Sequence, residues 1–452
     1  MSDLNKKLTT RSFLAYAMIP VAGMGSTICA SFLSGYWTDV VGISAAVVGI
    51  IMLVSRLLDG VSDILMGAII DKTNTRQGKA KPWVIVGSIG ITVVSILLFT
   101  TPNLSSSGKI IYGAVLYVLL YAVFGTMCGV ASPALVNLMT TDTTERFKLS
   151  AWKFASMFIV MLGMSFGLTI ITGFGGGQAG YTKFILLCSV VAIAGTIFCF
   201  VNIKEHQGQT VVEKKEKVSL LEFLKTIFGN KYFLLTMGIY FSVNFANGAF
   251  AGCMYYYVMY VMKNPTAFAV LNIATYVPCI LASIVGPQIG QKIGVTKMVI
   301  ICNVLMIIAI ALIIFNPTNL VYVGILFALS GLFNGPACAV LDLYNAMAVD
   351  YGAYTTGVAR PAVYSAGTSV GIKIGTGLGG AVFSFVLAAI GFNGLADVQT
   401  PAVENGIVIS FIAAYVIAYV LYTLLVIPFA KLEKEYPAMS EELQKRREKQ
   451  TL

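Results

Sequence analysis

Charge is what this chain has least of. Only 11% of its 452 residues are Asp, Glu, Lys or Arg, against about 25% in an ordinary soluble domain. Histidine occurs once, as His206, and tryptophan three times. The eight cysteines (29, 128, 188, 199, 253, 279, 302 and 338) all fall in apolar stretches without a Cys-x-x-Cys spacing, so neither disulfides nor metal sites are indicated. A cleavage-like ending is also missing: Lys6, Lys7 and Arg11 lead straight into a long apolar segment, which is expected to stay as a first membrane span. What the chain has instead is apolar surface, with 57% hydrophobic residues and a mean hydropathy of +0.84. No soluble fold covers that much, so the chain belongs in a bilayer. A secreted enzyme, a soluble nucleotide-binding protein and a disordered scaffold are excluded.

Crossing about 30 Å of hydrocarbon takes about 20 mostly apolar residues. Twelve stretches qualify: 12–37, 42–70, 82–101, 109–138, 149–173, 183–203, 232–262, 266–291, 297–315, 319–347, 361–391 and 406–430. Their lengths are helical, and the alternation of a membrane barrel is absent. The predicted fold is therefore all-α with twelve transmembrane helices. With the N-terminus inside, the cytoplasmic segments hold 24 of the 30 Lys and Arg, and the outer loops hold only Lys109, Lys183 and Lys263. This bias predicts a multi-pass plasma-membrane protein with both termini cytoplasmic. The net charge of +10 is then a topology signal, and neither nucleic acid nor an obligate protein partner is implied beyond membrane lipid. His206 falls in the charged middle loop, where it is expected to be solvated.

That loop, 204–231, separates two six-span halves, 1–203 and 232–430, and a cytoplasmic tail of 431–452 follows. The run Asp71-Lys72-Thr73-Asn74-Thr75-Arg76-Gln77-Gly78-Lys79 after span two has a shorter echo after span eight, Gln291-Lys292-Ile293-Gly294-Val295-Thr296-Lys297. Two such halves describe a parallel-repeat transporter with a midplane substrate site. The plainer reading of the echo is that two Gly/Lys loops look alike. By position, Asp71 and Arg76 would serve a cytoplasmic gate.

An ionisable side chain inside a span costs about 2.5–3.5 kcal/mol and is functional by default. Span two carries Arg56, Asp59 and Asp63, whose spacings of three and four put them on one helix face. Two carboxylates about 5–6 Å apart resist ionising together. A bound cation relieves the repulsion, or one carboxylate keeps a proton. The alternative is a structural network in which Arg56 neutralises one Asp, but that leaves the other unpaired. Ser62 offers a neutral oxygen beside Asp63. Lys153 in span five either snorkels to the interface or faces the cavity, and Lys373, deep in span eleven, is expected to hold a span-two carboxylate or bind substrate. Counting three cationic against two anionic groups leaves one positive charge for an anionic substrate. Trp152 is a candidate for stacking on a sugar ring, and Tyr121 and Tyr364 are candidate cavity hydroxyls, with plain packing as the alternative for each.

The run Arg56-Leu57-Leu58-Asp59-Gly60-Val61-Ser62-Asp63 with Asp71 to Trp83, joined by Tyr36-Trp37-Thr38-Asp39-Val40-Val41-Gly42, Asp350-Tyr351-Gly352, Thr356-Gly357, Tyr364-Ser365 and Lys373-Ile374-Gly375, resembles the glycoside–pentoside–hexuronide:cation symporters. The resemblance covers the whole chain. It implies a major facilitator fold, alternating access, no cofactor and no enzyme activity. It also implies a Na⁺, H⁺ or Li⁺ site on Asp59 and Asp63, a neighbouring lysine at Lys373, and a sugar-binding basic residue at Lys153, where many members have Arg.

There are departures. This chain has no charge between Arg11 and Asp39, where melibiose permease has a sugar-binding Asp. The family's acidic and Trp positions in span four fall on Ala131 and Leu135. The Glu after Asp-Tyr-Gly is Ala353, and the following Arg is displaced to Arg360. Cation symport is thus implied more firmly than a galactoside, and a hexuronide, another anionic solute or a non-sugar stays open. An integral-membrane Mg-dependent prenyltransferase is the rival from another class. It needs a second Asp-rich segment, and Asp342 and Asp350, at the edge of a span, do not make one.

Overall fold

The computed structural model describes residues 8–140, 142–205, 225–357, 361–396 and 398–451. His206 and Arg360 lie outside the described residues, as does the side chain of Asp71. Among the described residues the structure is helical, with a single isolated bridge between Thr75 and Gly78.

Twelve helices are long and apolar enough to cross a membrane. Spans one to six are Thr10–Val41, Ala45–Ile70, Lys81–Leu98, Ser106–Val136, Lys148–Gly173 and Gly177–Asn202. Spans seven to twelve are Lys231–Val261, Ala267–Ile293, Val295–Phe315, Leu320–Thr356, Gly367–Ala389 and Pro401–Val426. A tail helix, Phe429–Thr451, follows. Each coincides with an expected stretch, and span ten alone changes materially. It runs on to Thr356, where Gly357 takes a left-handed φ of +74° and ends it. Asp342, expected at the edge of a span, is therefore inside one.

The chain divides into two compact units. Unit 1 comprises residues up to 213 together with Asn264–Ala269 and Ser384–Val403, and unit 2 comprises the remainder. In unit 1 a buried cluster ties spans one to six together at the end of the bundle that carries the N-terminus, with Tyr16, Met66, Val84, Leu135, Leu149 and Cys199 among its members. In unit 2 the main cluster joins span seven to spans nine to twelve and the tail through Phe233, Met306, Tyr344, Tyr422, Phe429 and Leu432.

Glycine sets the closest approach in unit 2. A Cβ on Gly371 would stand 2.8 Å from the Met237 carbonyl oxygen, and one on Gly375 2.5 Å from that of Phe241. Span eleven thus rests directly on the backbone of span seven, as small residues at four-residue intervals permit. Lys373 lies between these two contacts and inherits a fixed position from them.

Candidate cation and substrate site

Span two has two unlike faces. Leu57, Val61 and Leu65 are 55%, 60% and 61% exposed, with Val54 and Ile69 beside them. This is the apolar stripe a lipid-facing helix needs. The opposite face holds Ser55 and Asp59, both buried, and half-buried Arg56, Ser62 and Asp63. The carboxylate of Asp59 therefore points into the protein.

Span four meets that face with an irregular turn. Residues Leu119–Gly125 form a π-helix, in which the Thr126 hydroxyl donates to the Tyr121 carbonyl five residues back at 3.2 Å. Such insertions reset the register of a helix and gather at functional sites. Here the reset turns two side chains toward span two. The Thr126 hydroxyl lies 2.8 Å from Asp59 Oδ1 and 2.9 Å from the Ser62 hydroxyl. The Ser62 hydroxyl in turn donates to the Asp59 carbonyl at 3.0 Å. One turn earlier, the Arg56 guanidinium sits 4.0 Å from the centre of the Tyr121 ring, a contact worth about 2 kcal/mol when desolvated. Oxygens of two hydroxyls and a carboxylate thus converge beside a cation held on an aromatic face.

The structure sets Asp59, Ser62 and Arg56 on one face of span two, with half-buried Asp63 on the same face. Thr126 was missed: a threonine in an apolar span gives no signal, and the π-turn that aims it has no sequence mark. Tyr121 is not a cavity hydroxyl. It is buried under Arg56, its ring 4.7 Å from that of Tyr117, and its hydroxyl donates to the Ser26 carbonyl at 3.0 Å.

Lys153 does not snorkel. It turns into unit 1, donating to the Ser132 hydroxyl at 2.7 Å with its ammonium 5.7 Å from the Tyr16 ring centre. Tyr16 donates to the Ser132 carbonyl at 3.0 Å and closes the group. Trp152 beside it is 43% exposed. Ala131 and Leu135 are fully buried in the unit 1 core, so no recognition group replaces the missing span-four residues there.

In unit 2, Lys373 is half-buried at mid-span. Tyr364 is a core residue instead of a cavity hydroxyl, because it precedes the membrane stretch of span eleven. It is 2% exposed, stacks edge-on with Phe233 at 4.5 Å and accepts from Asn230 Nδ2 at 3.2 Å. Asp342 was weighed only as half of a metal motif, yet it lies deep in span ten and accepts from the Tyr240 hydroxyl at 2.5 Å. Asp342 thus adds a carboxylate to Asp59 and Asp63, the two that were set against Arg56, Lys153 and Lys373, and the surplus positive charge that favoured an anionic solute disappears.

In the loop between spans two and three Arg76 is exposed, and the end of that loop meets Glu205. That carboxylate accepts from the backbone N–H groups of Lys79 at 2.6 Å, Ala80 at 3.0 Å and Lys81, at the start of span three.

The family model for MFS/sugar transport proteins matches residues 14–435. The Escherichia coli protein YagG, provisionally named a glycoside/cation symporter, is 30% identical over 94% of both chains. The glucuronide carrier protein homolog of the same organism is 27% identical over 99% of this chain and 98% of its own. A solved structure from a study of substrate recognition in proton-dependent oligopeptide transporters superposes with a TM-score of 0.66 at 13% identity, covering 94% of this chain and 100% of the other. That likeness speaks to the fold alone. With twelve apolar helices and a family match over nearly its whole length, the chain belongs to the MFS/sugar transport proteins, within the cation-coupled glycoside symporters, and is a membrane transporter and not an enzyme.

Proposed function

We propose that this protein takes up a glycoside by symport with Na⁺, the ion entering between Asp59 and Asp63 with the Thr126 and Ser62 hydroxyls as neutral ligands. The observation that carries this reading is the hydroxyl of Thr126, which lies within hydrogen-bond distance of both Asp59 and Ser62. Hard oxygen donors around paired carboxylates suit a small hard cation. Li⁺ would use the same ligands, and H⁺ would need only one carboxylate. Because the pair repels itself when empty, ion binding and the closing of the helices around it reinforce each other. Substrate affinity and ion affinity then rise together by the same factor.

The glycoside class is supported by the names of the two relatives, a glycoside/cation symporter and a glucuronide carrier homolog. Lys153 would donate to substrate hydroxyls, and Lys373 would serve the charge network. The Lys and Arg distribution supports a plasma-membrane location with both termini cytoplasmic, where Asp71 and Arg76 would take part in gating.

The test is uptake of radiolabelled glycosides into proteoliposomes under an imposed Na⁺ gradient, an imposed H⁺ gradient or neither, with Asp59→Cys and Asp63→Cys beside the wild type. Na⁺-driven accumulation that both variants lose supports the proposal. Accumulation driven only by H⁺, or variants as active as wild type, defeats it.

A further inference from the structure

Asp342 is a carboxylate that neither the cation site nor the gate uses. Span ten ends at Thr356, fourteen residues on, which at 1.5 Å per residue places Asp342 about 21 Å below the cytoplasmic end of the helix. Asp342 is exposed, as are Leu343 and, one turn nearer Thr356, Ala346, while Tyr344, Met347 and Ala348 are buried. A charged group cannot be left against hydrocarbon, so this face of unit 2 is a wet one.

Span seven supplies the other wall. Tyr240, Asn244 and Asn247 follow one another at intervals of four and three, which places them on one helix face. Asn244 Nδ2 donates to the Tyr240 carbonyl at 2.8 Å, and Asn247 is exposed. The Tyr240 hydroxyl donates a hydrogen bond to Asp342 Oδ1. Three residues after Asp342, the Asn345 Oδ1 atom is buried without a hydrogen-bond donor. An exposed amide, a tyrosine oxygen with free lone pairs and a carboxylate oxygen together form a strip of donors and acceptors. Among the described residues no basic side chain forms a salt bridge with Asp342.

We infer that Tyr240, Asn247 and Asp342 form the unit 2 subsite for a sugar ring, with the Asp342 carboxylate accepting from adjacent ring hydroxyls and Asn247 reading a third position. A carboxylate is an acceptor only, and vicinal hydroxyls are the small-molecule donors that match its two oxygens. The subsite selects neutral hydroxylated rings and works against a substrate carboxylate at that position, since like charges at contact distance repel. It rests on the reading of the chain as a glycoside symporter and adds to it which hydroxylated face the C-terminal half recognises.

The test is binding of nitrophenyl glycosides of glucose, galactose, xylose and glucuronic acid to the purified full chain in nanodiscs, by calorimetry with saturating Na⁺. Wild type is expected to bind a neutral glycoside. Asp342→Asn, which keeps the shape, should weaken that binding at least tenfold, and Tyr240→Phe should weaken it about threefold, the direct effect of a charge-assisted hydrogen bond against that of a positioning one. Thermal unfolding within a few degrees of wild type confirms the fold of each. Deoxy analogues separate contact from packing: the analogue that wild type binds worst should be bound by Asp342→Asn as well as its parent is. Asp342→Asn binding the glycoside within twofold of wild type overturns the inference while leaving the symporter reading intact. So does full binding with loss of every gradient-driven uptake, which would make Asp342 a proton carrier. No glycoside bound by wild type overturns both.

Discussion

Spans two and eight come at the same place in the order of their halves, and only one of them is charged. Span two holds Arg56, Asp59 and Asp63, whereas span eight, Ala267–Ile293, has no charged residue before Lys292. The frames nevertheless match. Spans one and seven both finish in π-helical turns, Tyr36–Val41 and Tyr257–Val261. Spans three and nine both begin under a carboxylate that arrives from beyond the sixth helix of the half, Glu205 in one and Glu433 in the other. Elements that set packing recur in both halves, and chemistry does not. A duplicated scaffold needs its helix ends satisfied twice, whereas an intramembrane charge is costly and is kept only where it works.

The sharpest way to break this comparison is to neutralise a carboxylate in each half. Asp59→Asn or Asp63→Asn should cut gradient-driven accumulation about 100-fold, the scale of an interaction near 2.8 kcal/mol, while leaving exchange of labelled for unlabelled glycoside across the membrane. Asp342→Asn should keep its response to the gradient once substrate is saturating. If the two halves respond alike, the division into an ion-coupling half and a ring-binding half is wrong.

A smaller effect separates contact glycines from open ones. Gly375→Ala in span eleven puts a methyl group against the Phe241 carbonyl and should cost about 1–3 kcal/mol as overpacking, read as a fall in Tm. Gly163→Ala in span five meets nothing within 4 Å and should leave Tm unchanged or slightly higher, since alanine is the better helix former. Within the cation site, Thr126→Val keeps the shape and removes the hydroxyl. Na⁺ affinity should fall about tenfold, since a hydrogen bond to a charged group contributes about 1.5–3 kcal/mol, and calorimetric titration of Na⁺ measures it. Affinity unchanged within twofold would remove Thr126 from the site.

Much of the frame was legible in the residues because hydrophobic length is a one-dimensional quantity: each of the twelve spans could be read without knowing its neighbours. That Asp59 and Asp63 share one helix face was legible for the same reason, as helix periodicity acts within one element. What escaped reading depends on two elements at once. Thr126 reaches Asp59 only because a π-turn in span four resets its register, and nothing in Leu119–Gly125 distinguishes that turn from an ordinary one. Tyr121 and Tyr364 look alike as apolar-span tyrosines, yet one lies under a guanidinium and the other is packed in a core. Asp342 was misplaced because an apolar count stops at polar residues, while the helix continues through Asp350, whose carboxylate accepts from Tyr436 of the tail helix at 2.7 Å.

The smallest expected effect tests the symmetry of the frame itself. The start of a helix carries unpaired N–H groups and the positive end of its dipole, so a carboxylate there contributes about 0.3–1 kcal/mol, rising to about 2 when partly buried. Glu205 meets three such groups, on Lys79, Ala80 and Lys81. Glu433 meets two, on Val295 at 2.6 Å and Thr296 at 2.9 Å. Glutamine in either place keeps an acceptor oxygen and loses the charge, so Glu205→Gln should lower Tm more than Glu433→Gln, and both less than Gly375→Ala. Because the two carboxylates act on separate helices, the double variant should show the sum of the single losses within about 0.5 kcal/mol. A larger loss in the double variant would mean that the two helix starts are coupled, and the halves would then have to be treated as one cooperative structure instead of two repeats of one frame.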